Sequence, residues 1–335
     1  MRNSYGNDEA SFGIAAGVCD ADAQSDHHCF CCGYGALIWT AAEYEAELEA
    51  FTAAKACKTL YTSDSVYHVE LVKQNGRYRA DNEGQKPREL HVEYYAVPYA
   101  IVDGEYWYGN ADLYSVQQYA DDILTKSTNE ASRKTVEAMM RFAKYTQIYL
   151  EDADHIGVFE DVLSKHNLAT NVEWTAEDEP LLHEQIVVTQ PEYSTDFIAW
   201  AGTSLLMKDQ TGLCFVLNGK FTDEIEVLYW NASDYEANSA SPIKGTETGV
   251  LEKIEYSKSR DQALKTGISA RLSDEVYYVR MYNISTGAYS EVKADSVATN
   301  LTRMVNKYTD GSNNKALYFA AAYLKYAATA KAYLG

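Results

Sequence analysis

Six soft or borderline metal ligands crowd into fourteen positions of CDADAQSDHHCFCCG, residues 19–33: Cys19, His27, His28, Cys29, Cys31 and Cys32. Four such groups hold a tetrahedral zinc ion. The spacing departs from the familiar zinc motifs, since only Cys29 and Cys32 stand as a Cys-x2-Cys pair. In an oxidising compartment the same thiols make disulfides, with Cys57 a further partner. Disulfide and structural zinc both stay open for this segment. Calcium is the other metal to weigh, because Asp20, Asp22 and Asp26 lie close together. An EF-type loop needs glycine at its sixth position and a bidentate glutamate at its twelfth. Here Ser25 and Cys31 occupy those places, so the loop fails. The run Asp152–Gly157 has its glycine but reaches Leu163 at the twelfth position, and it fails too. A looser cage of loop carboxylates would suit calcium. No other cofactor is called for, and Cys214, inside an alternating apolar stretch, reads as a small packed hydrophobe.

A second group is aromatic. Tyr106, Trp107 and Tyr108 follow an Asp103-Gly104 turn signal, and strand alternation puts Tyr106 and Tyr108 on the face opposite Trp107. One face would then be core and the other a platform for stacking on a sugar ring. Packing on both faces is the plainer expectation.

Catalytic signatures are lacking. There is no Gly-x-Ser-x-Gly elbow and no phosphate-cradling glycine loop, and His183-Glu184 is followed by Val187 where a zinc protease needs histidine. With 49 Asp and Glu, no single carboxylate pair can be singled out for glycoside hydrolysis. The sequence predicts no enzyme and no catalytic residue.

The elements that must position these groups follow from periodicity. Residues 89–108 alternate apolar and polar around Asp103-Gly104, and residues 275–292 do so around Thr286-Gly287. Asn75-Gly76 and Asn218-Gly219 are further turn signals between β-prone runs. In AMMRFAKYTQIYL, residues 138–150, Met139, Phe142, Ala143, Thr146, Tyr149 and Leu150 share one helical face. In AAYLKYAATAKAYL, residues 321–334, the same slots hold Tyr323, Tyr326, Ala327, Ala330, Tyr333 and Leu334. Large matches large and small matches small, so both helices are expected to pack against equivalent surfaces. A shorter helix, capped by Ser115 or Ser296, precedes each, and each pair reads as a helical hairpin. The pattern is that of internal duplication.

The totals set outer limits. At 335 residues the chain is long for one core. A formal charge of −20 repels a phosphate backbone, which excludes general nucleic-acid binding. No run is apolar enough to insert in a membrane. MRNSYGNDEA lacks the basic and apolar regions of a signal peptide, so either the protein is cytosolic or its export signal has been removed. The 28 tyrosines against 9 phenylalanines suit half-exposed sheet faces.

The succession GYGALIW, AFTAAK, HVEYYAVPYAIVDGEYWYG, YSVQQYADDIL and AMMRFAKYTQIYL resembles tandem repeat modules of large secreted surface proteins of anaerobic gut Firmicutes. AGTSLLMKDQTGLCFVLNG through AAYLKYAATAKAYLG resembles the companion module that follows them. The resemblance implies an extracellular, cell-surface protein whose partners are other modules of the same protein or cell-wall and host glycans.

The expected fold is therefore α+β: two tandem modules, each an antiparallel β-sandwich-like sheet followed by a helical hairpin. The first module spans 1–150 with the Cys/His-rich insertion 19–33, a linker with a short helix spans 151–185, and the second module spans 186–335. The expected function is a non-catalytic spacer, scaffold or adhesin. The alternatives are a carbohydrate-binding module using Tyr106, Trp107 and Tyr108, and a metal-dependent protein centred on the Cys/His insertion.

Overall fold

The alternating runs 89–108 and 275–292 form antiparallel strands, and 138–149 and 321–334, with apolar residues at spacings of three and four, are helical. A computed structural model describes residues 12–16, 31–74, 77–82, 85–151, 155–207, 211–238 and 242–334. The fold mixes helix and sheet, as an α+β chain should. Its contacts divide it into two compact units, one ending at Ser127 and the other running from Thr128 to Gly335.

The first unit contains β1 (Phe12–Ala16), β2 (Cys31–Thr40), α1 (Ala41–Cys57), β3 (Tyr67–Glu70), β4 (Val72–Gln74), β5 (Arg77–Asn82), β6 (Tyr94–Val102), β7 (Glu105–Tyr108), β8 (Asp112–Tyr114) and α2 (Val116–Lys126). Its main sheet has the order β3-β2-β6-β7, with β8 also paired to β6. The Asp103-Gly104 turn forms as the sequence predicts, with positive φ of 53° and 81° joining β6 to β7. Asn75-Gly76 lies outside the described residues, while the flanking strands pair Gln74 with Arg77. On one face of this sheet Leu37, Trp39 and Val97 close over Phe51 of α1. Gly35 is required where it stands: a Cβ there would come within 2.3 Å of the Tyr99 hydroxyl.

The second unit contains α3 (Glu130–Tyr149), α4 (Val158–Lys165), β9 (Trp200–Met207), β10 (Thr211–Leu217), β11 (Ile225–Trp230), α5 (Ala232–Ala237), β12 (Gly249–Val250), β13 (Glu252–Ser257), β14 (Arg260–Lys265), β15 (Tyr277–Asn283), β16 (Lys293–Asp295), α6 (Val297–Tyr308) and α7 (Asn314–Leu334). Two antiparallel sheets, β13-β14-β10-β9 and β12-β11-β15-β16, share one core with α3, α6 and α7. The Thr286-Gly287 turn returns the chain from β15, bringing Tyr289 opposite Tyr282. Asn218-Gly219 makes no hairpin, because β10 pairs with β9 and β14 whereas β11 pairs with β12 and β15. The chain there crosses from one sheet to the other. Strand structure in this unit begins at Trp200.

One part of each unit is built alike. In the first, Trp39 sits opposite Tyr95 on β6 and Tyr94 opposite Tyr114 on β8. In the second, Trp230 sits opposite Tyr278 on β15 and Tyr277 opposite Asp295 on β16. Thr40 and Asn231 cap the helices that follow these tryptophans. The first turn of each helix places a tyrosine against the neighbouring strand: Tyr44 on Tyr95 at 4.2 Å, Tyr235 on Tyr278 at 3.7 Å. Ser115 and Ser296 cap α2 and α6 in nearly identical conformations, φ −137° and −135°. The second residue after each cap donates to a matching carbonyl, Gln117 to Leu90 at 2.9 Å and Ala298 to Ser273 at 2.8 Å.

The long helices depart from expectation. The division at Ser127/Thr128 assigns α2 to the first unit and α3 to the second, so the first module does not end at 150 with a hairpin of its own. α3 packs instead on α7, antiparallel: Phe142 stacks on Tyr326 at 5.7 Å, and Tyr149 stacks on Phe319 at 4.5 Å. The two long helices thus pack on each other inside the second unit. Residues 155–182 also belong to the second unit, with Phe159, Val162 and Leu163 of α4 buried. Lys144 of α3 ties this segment down through Thr170 O, Asn171 Oδ1 and Glu160 Oε1, at 2.9, 3.0 and 2.6 Å.

Candidate functional site

Trp107 stands on β7 with 51% of its surface exposed. Lys58, the left-handed cap of α1, places its Nζ 3.8 Å from the indole centroid and 2.7 Å from Glu105 Oε2. The Tyr106 N–H donates to Lys58 O at 2.9 Å, which fixes the cap against the strand. Tyr106 and Tyr108 lie on the other face, as alternation requires. The Tyr108 hydroxyl donates to Thr59 O and accepts from the Tyr61 N–H, each at 2.8 Å, and its ring meets Phe51 edge-on at 5.2 Å. Tyr106 lies 5.5 Å from Tyr99. Of the three aromatic residues grouped by sequence, only Trp107 offers a platform. The expectation of packing on both faces fails because α1 covers only the face that carries Tyr108.

Cys19, His27, His28 and Cys29 lie outside the described residues, as do Asp20, Asp22, Asp26 and Asp152. Cys31 and Cys32 begin β2, where Cys31 is paired with Val102 and the register shifts before Gly33 pairs with Ile101. Among the described residues, no group of three or more His, Cys, Asp or Glu side chains is placed to hold a metal ion. Cys57 is an exposed free thiol at the end of α1. Cys214 is a buried free thiol, and burial pushes its pKa up despite a hydrogen bond with Ser204.

Sequence reading missed the best-organised carboxylate. One oxygen of Glu47, on α1, accepts from Trp39 Nε1 at 2.9 Å, Tyr61 OH at 2.9 Å and Ser63 Oγ at 2.8 Å. Burial alone would raise its pKa, but the hydrogen bonds from Ser63, Trp39, Tyr61 and Ser65 outweigh it and hold the carboxyl below its ordinary 4.5. A carboxylate so held is a poor general acid and a good structural hub. Glu47→Gln is expected to cost about 1–2 kcal/mol at neutral pH. The folded pKa is depressed, so the contribution is full above 4.5 and fades as pH falls through the folded value. Denaturant titrations at neutral and acidic pH check this: the gap between the two proteins should close in acid.

In the second unit a cleft of about 360 Å³ opens where the chain passes from β10 to β11. Leu217, Phe221 and Met281 line its floor, and Ser194, Asp196 and Lys220 its rim. Ser194 Oγ donates to Asp196 Oδ2 at 3.1 Å, and Lys220 Nζ donates to Asp261 Oδ1 at 2.9 Å. An apolar floor with a hydrogen-bonding rim has the character of a binding surface.

No protein-family model matches the chain, and no curated protein matches it. Among the described residues, no helix is long and apolar enough to cross a membrane.

Proposed function

We propose that this chain is a non-catalytic extracellular segment of a bacterial surface protein, acting as spacer, scaffold or adhesin. The observation that carries the reading is the matched frame of Trp39, Tyr44 and Tyr95 with Trp230, Tyr235 and Tyr278. A copied frame extends a molecule without demanding a reactive centre. The resemblance to tandem modules of secreted Firmicutes proteins supports the same reading. So do Glu47 and Lys144, whose hydrogen bonds hold the fold. Recombinant protein incubated with polysaccharides and peptidoglycan is expected to leave their chain lengths unchanged by mass spectrometry. A substrate shortened by this protein, with the activity lost in a single-carboxylate variant, would overturn the proposal.

A second reading, carbohydrate binding, draws on the exposed Trp107 ring and the cation beside it. Saturable retention on a glycan array that falls about tenfold in Trp107→Ala, the worth of one aromatic contact, would favour it. Array binding indifferent to that substitution would remove it.

A further inference from the structure

Gly202 and Thr203 of β9, Lys293 of β16 and one side of α6 enclose an open cleft of about 440 Å³ in the second unit. Its charged lining is Lys293, Arg303 and Lys307, in a chain whose formal charge is −20. Only one carboxylate reaches these cations among the described residues. Asp295, 1% exposed, accepts from Arg303 Nη1, from Thr203 Oγ1 and from the Ser296 N–H, so its capacity is taken up inside the fold. That contact aims the guanidinium, and its Nε and Nη2 have no protein partner among the described residues. Lys293 forms no ion pair there, and Lys307 meets only the Tyr308 ring, 5.0 Å away. Helix polarity accounts for a lysine in the last turn of α6. It does not account for Lys293 on a strand, nor for two like charges at i and i+4, which weaken a helix.

The matched positions in the first unit sharpen the contrast. With Tyr114 in the place of Asp295 and Ser115 in the place of Ser296, the residues corresponding to Lys293, Arg303 and Lys307 are Asp112, Asp122 and Lys126. There Lys126 is neutralised by Asp122 at 2.6 Å, and the Tyr114 hydroxyl donates to Asp122 at 3.3 Å. The same frame carries a self-compensated pair in one unit and uncompensated cations in the other. A scaffold alone needs no such difference.

We propose that the Lys293–Arg303–Lys307 cleft binds a tetrahedral dianion, sulfate or phosphate, either free or esterified to a small polar ligand. Three cations less the one charge of Asp295 leave +2, which matches a dianion rather than a single carboxylate. The oriented guanidinium edge supplies directed donors and the ammonium groups supply charge. This inference stands on the cleft's own geometry, whether or not the chain is a surface scaffold.

Calorimetric titration of the full chain with sodium sulfate, sodium phosphate and a sulfated disaccharide tests it, with sodium chloride at equal ionic strength as the control. One saturable site per chain is expected, weakened at least about tenfold by Lys307→Glu and by Lys293→Glu, the exchange of one attractive charge for a repulsive one. Neither side chain has a carboxylate partner among the described residues, so the variants should keep the wild-type circular dichroism. Lys126→Glu, at the matching place in the first unit, should leave the affinity unchanged. Free ions binding as tightly as the ester would define an ion site, and a tighter ester would define a ligand site; both sustain the proposal. Heats no larger than those of chloride, or binding that survives Lys307→Glu, would overturn it.

Discussion

Arg280→Ala is expected to lower the stability of the second unit by about 3 kcal/mol or more. Arg280 lies on β15 with 1% of its surface exposed. Its Nε donates to Ser290 O and its Nη1 to Pro242 O, both at 2.8 Å, and its Nη2 donates to Glu192 O. The guanidinium also lies 4.5 Å from the Tyr289 centroid. Three separate chain segments are thus pinned to one side chain, and their carbonyls would be stranded without it. Burial pushes the Arg280 pKa down, yet an arginine stays charged there because its ordinary value is so high. Lysine cannot reproduce the fork, so Arg280→Lys should recover less than half of the loss. Hydrogen exchange reads the result locally: protection in Tyr277–Asn283 should fall while protection in Tyr94–Val102 stays as it was. Unchanged protection in β15 would show that the three carbonyls find other donors.

The second large effect is expected from Phe142→Ala, at about 3–5 kcal/mol. Phe142 is 5% exposed on α3 and meets Phe319, Tyr323 and Tyr326 of α7 at 5.8, 4.9 and 5.7 Å. Neighbouring helices cannot close a cavity of that size without shifting their backbones. The loss should register as faster amide exchange in Asn314–Leu334 and leave Val116–Lys126 unaffected, because α3 belongs with the second unit. A double-mutant cycle with Tyr326→Ala should return a coupling of about 1 kcal/mol from the stacked pair. Exchange that quickened in α2 and not in α7 would return α3 to the first unit.

Much of the frame is written locally. The alternating runs 89–108 and 275–292 become β6, β7 and β15, serines at 115 and 296 cap helices, and Asp103-Gly104 turns with the positive φ that its residue types favour. These outcomes depend on neighbours within a few residues, which is why sequence exposes them. Asn218-Gly219 shows the limit. The same turn chemistry leads to a crossover between sheets, because strand partners are chosen by distant residues.

The candidate sites divide along the same line. Alternation alone separates Trp107 from Tyr106 and Tyr108, and a reader of the sequence could place them on opposite faces. Glu47 gives no such sign, since its donors come from two segments that flank α1, Trp39 from one and Tyr61 and Ser63 from the other. Arg303 and Lys307 show a helical spacing, but neither their closeness to Lys293 nor the removal of Asp295 into the interior can be read without the fold.

What the sequence determined by itself is local: the serine caps of α2 and α6, the tyrosine-bearing strands, and the shared spacing of large and small residues in the two long helices. What only tertiary structure decided is where those helices go. A pattern of knobs and hollows specifies the shape of a partner and not its identity, and here α3 and α7 find that partner in each other.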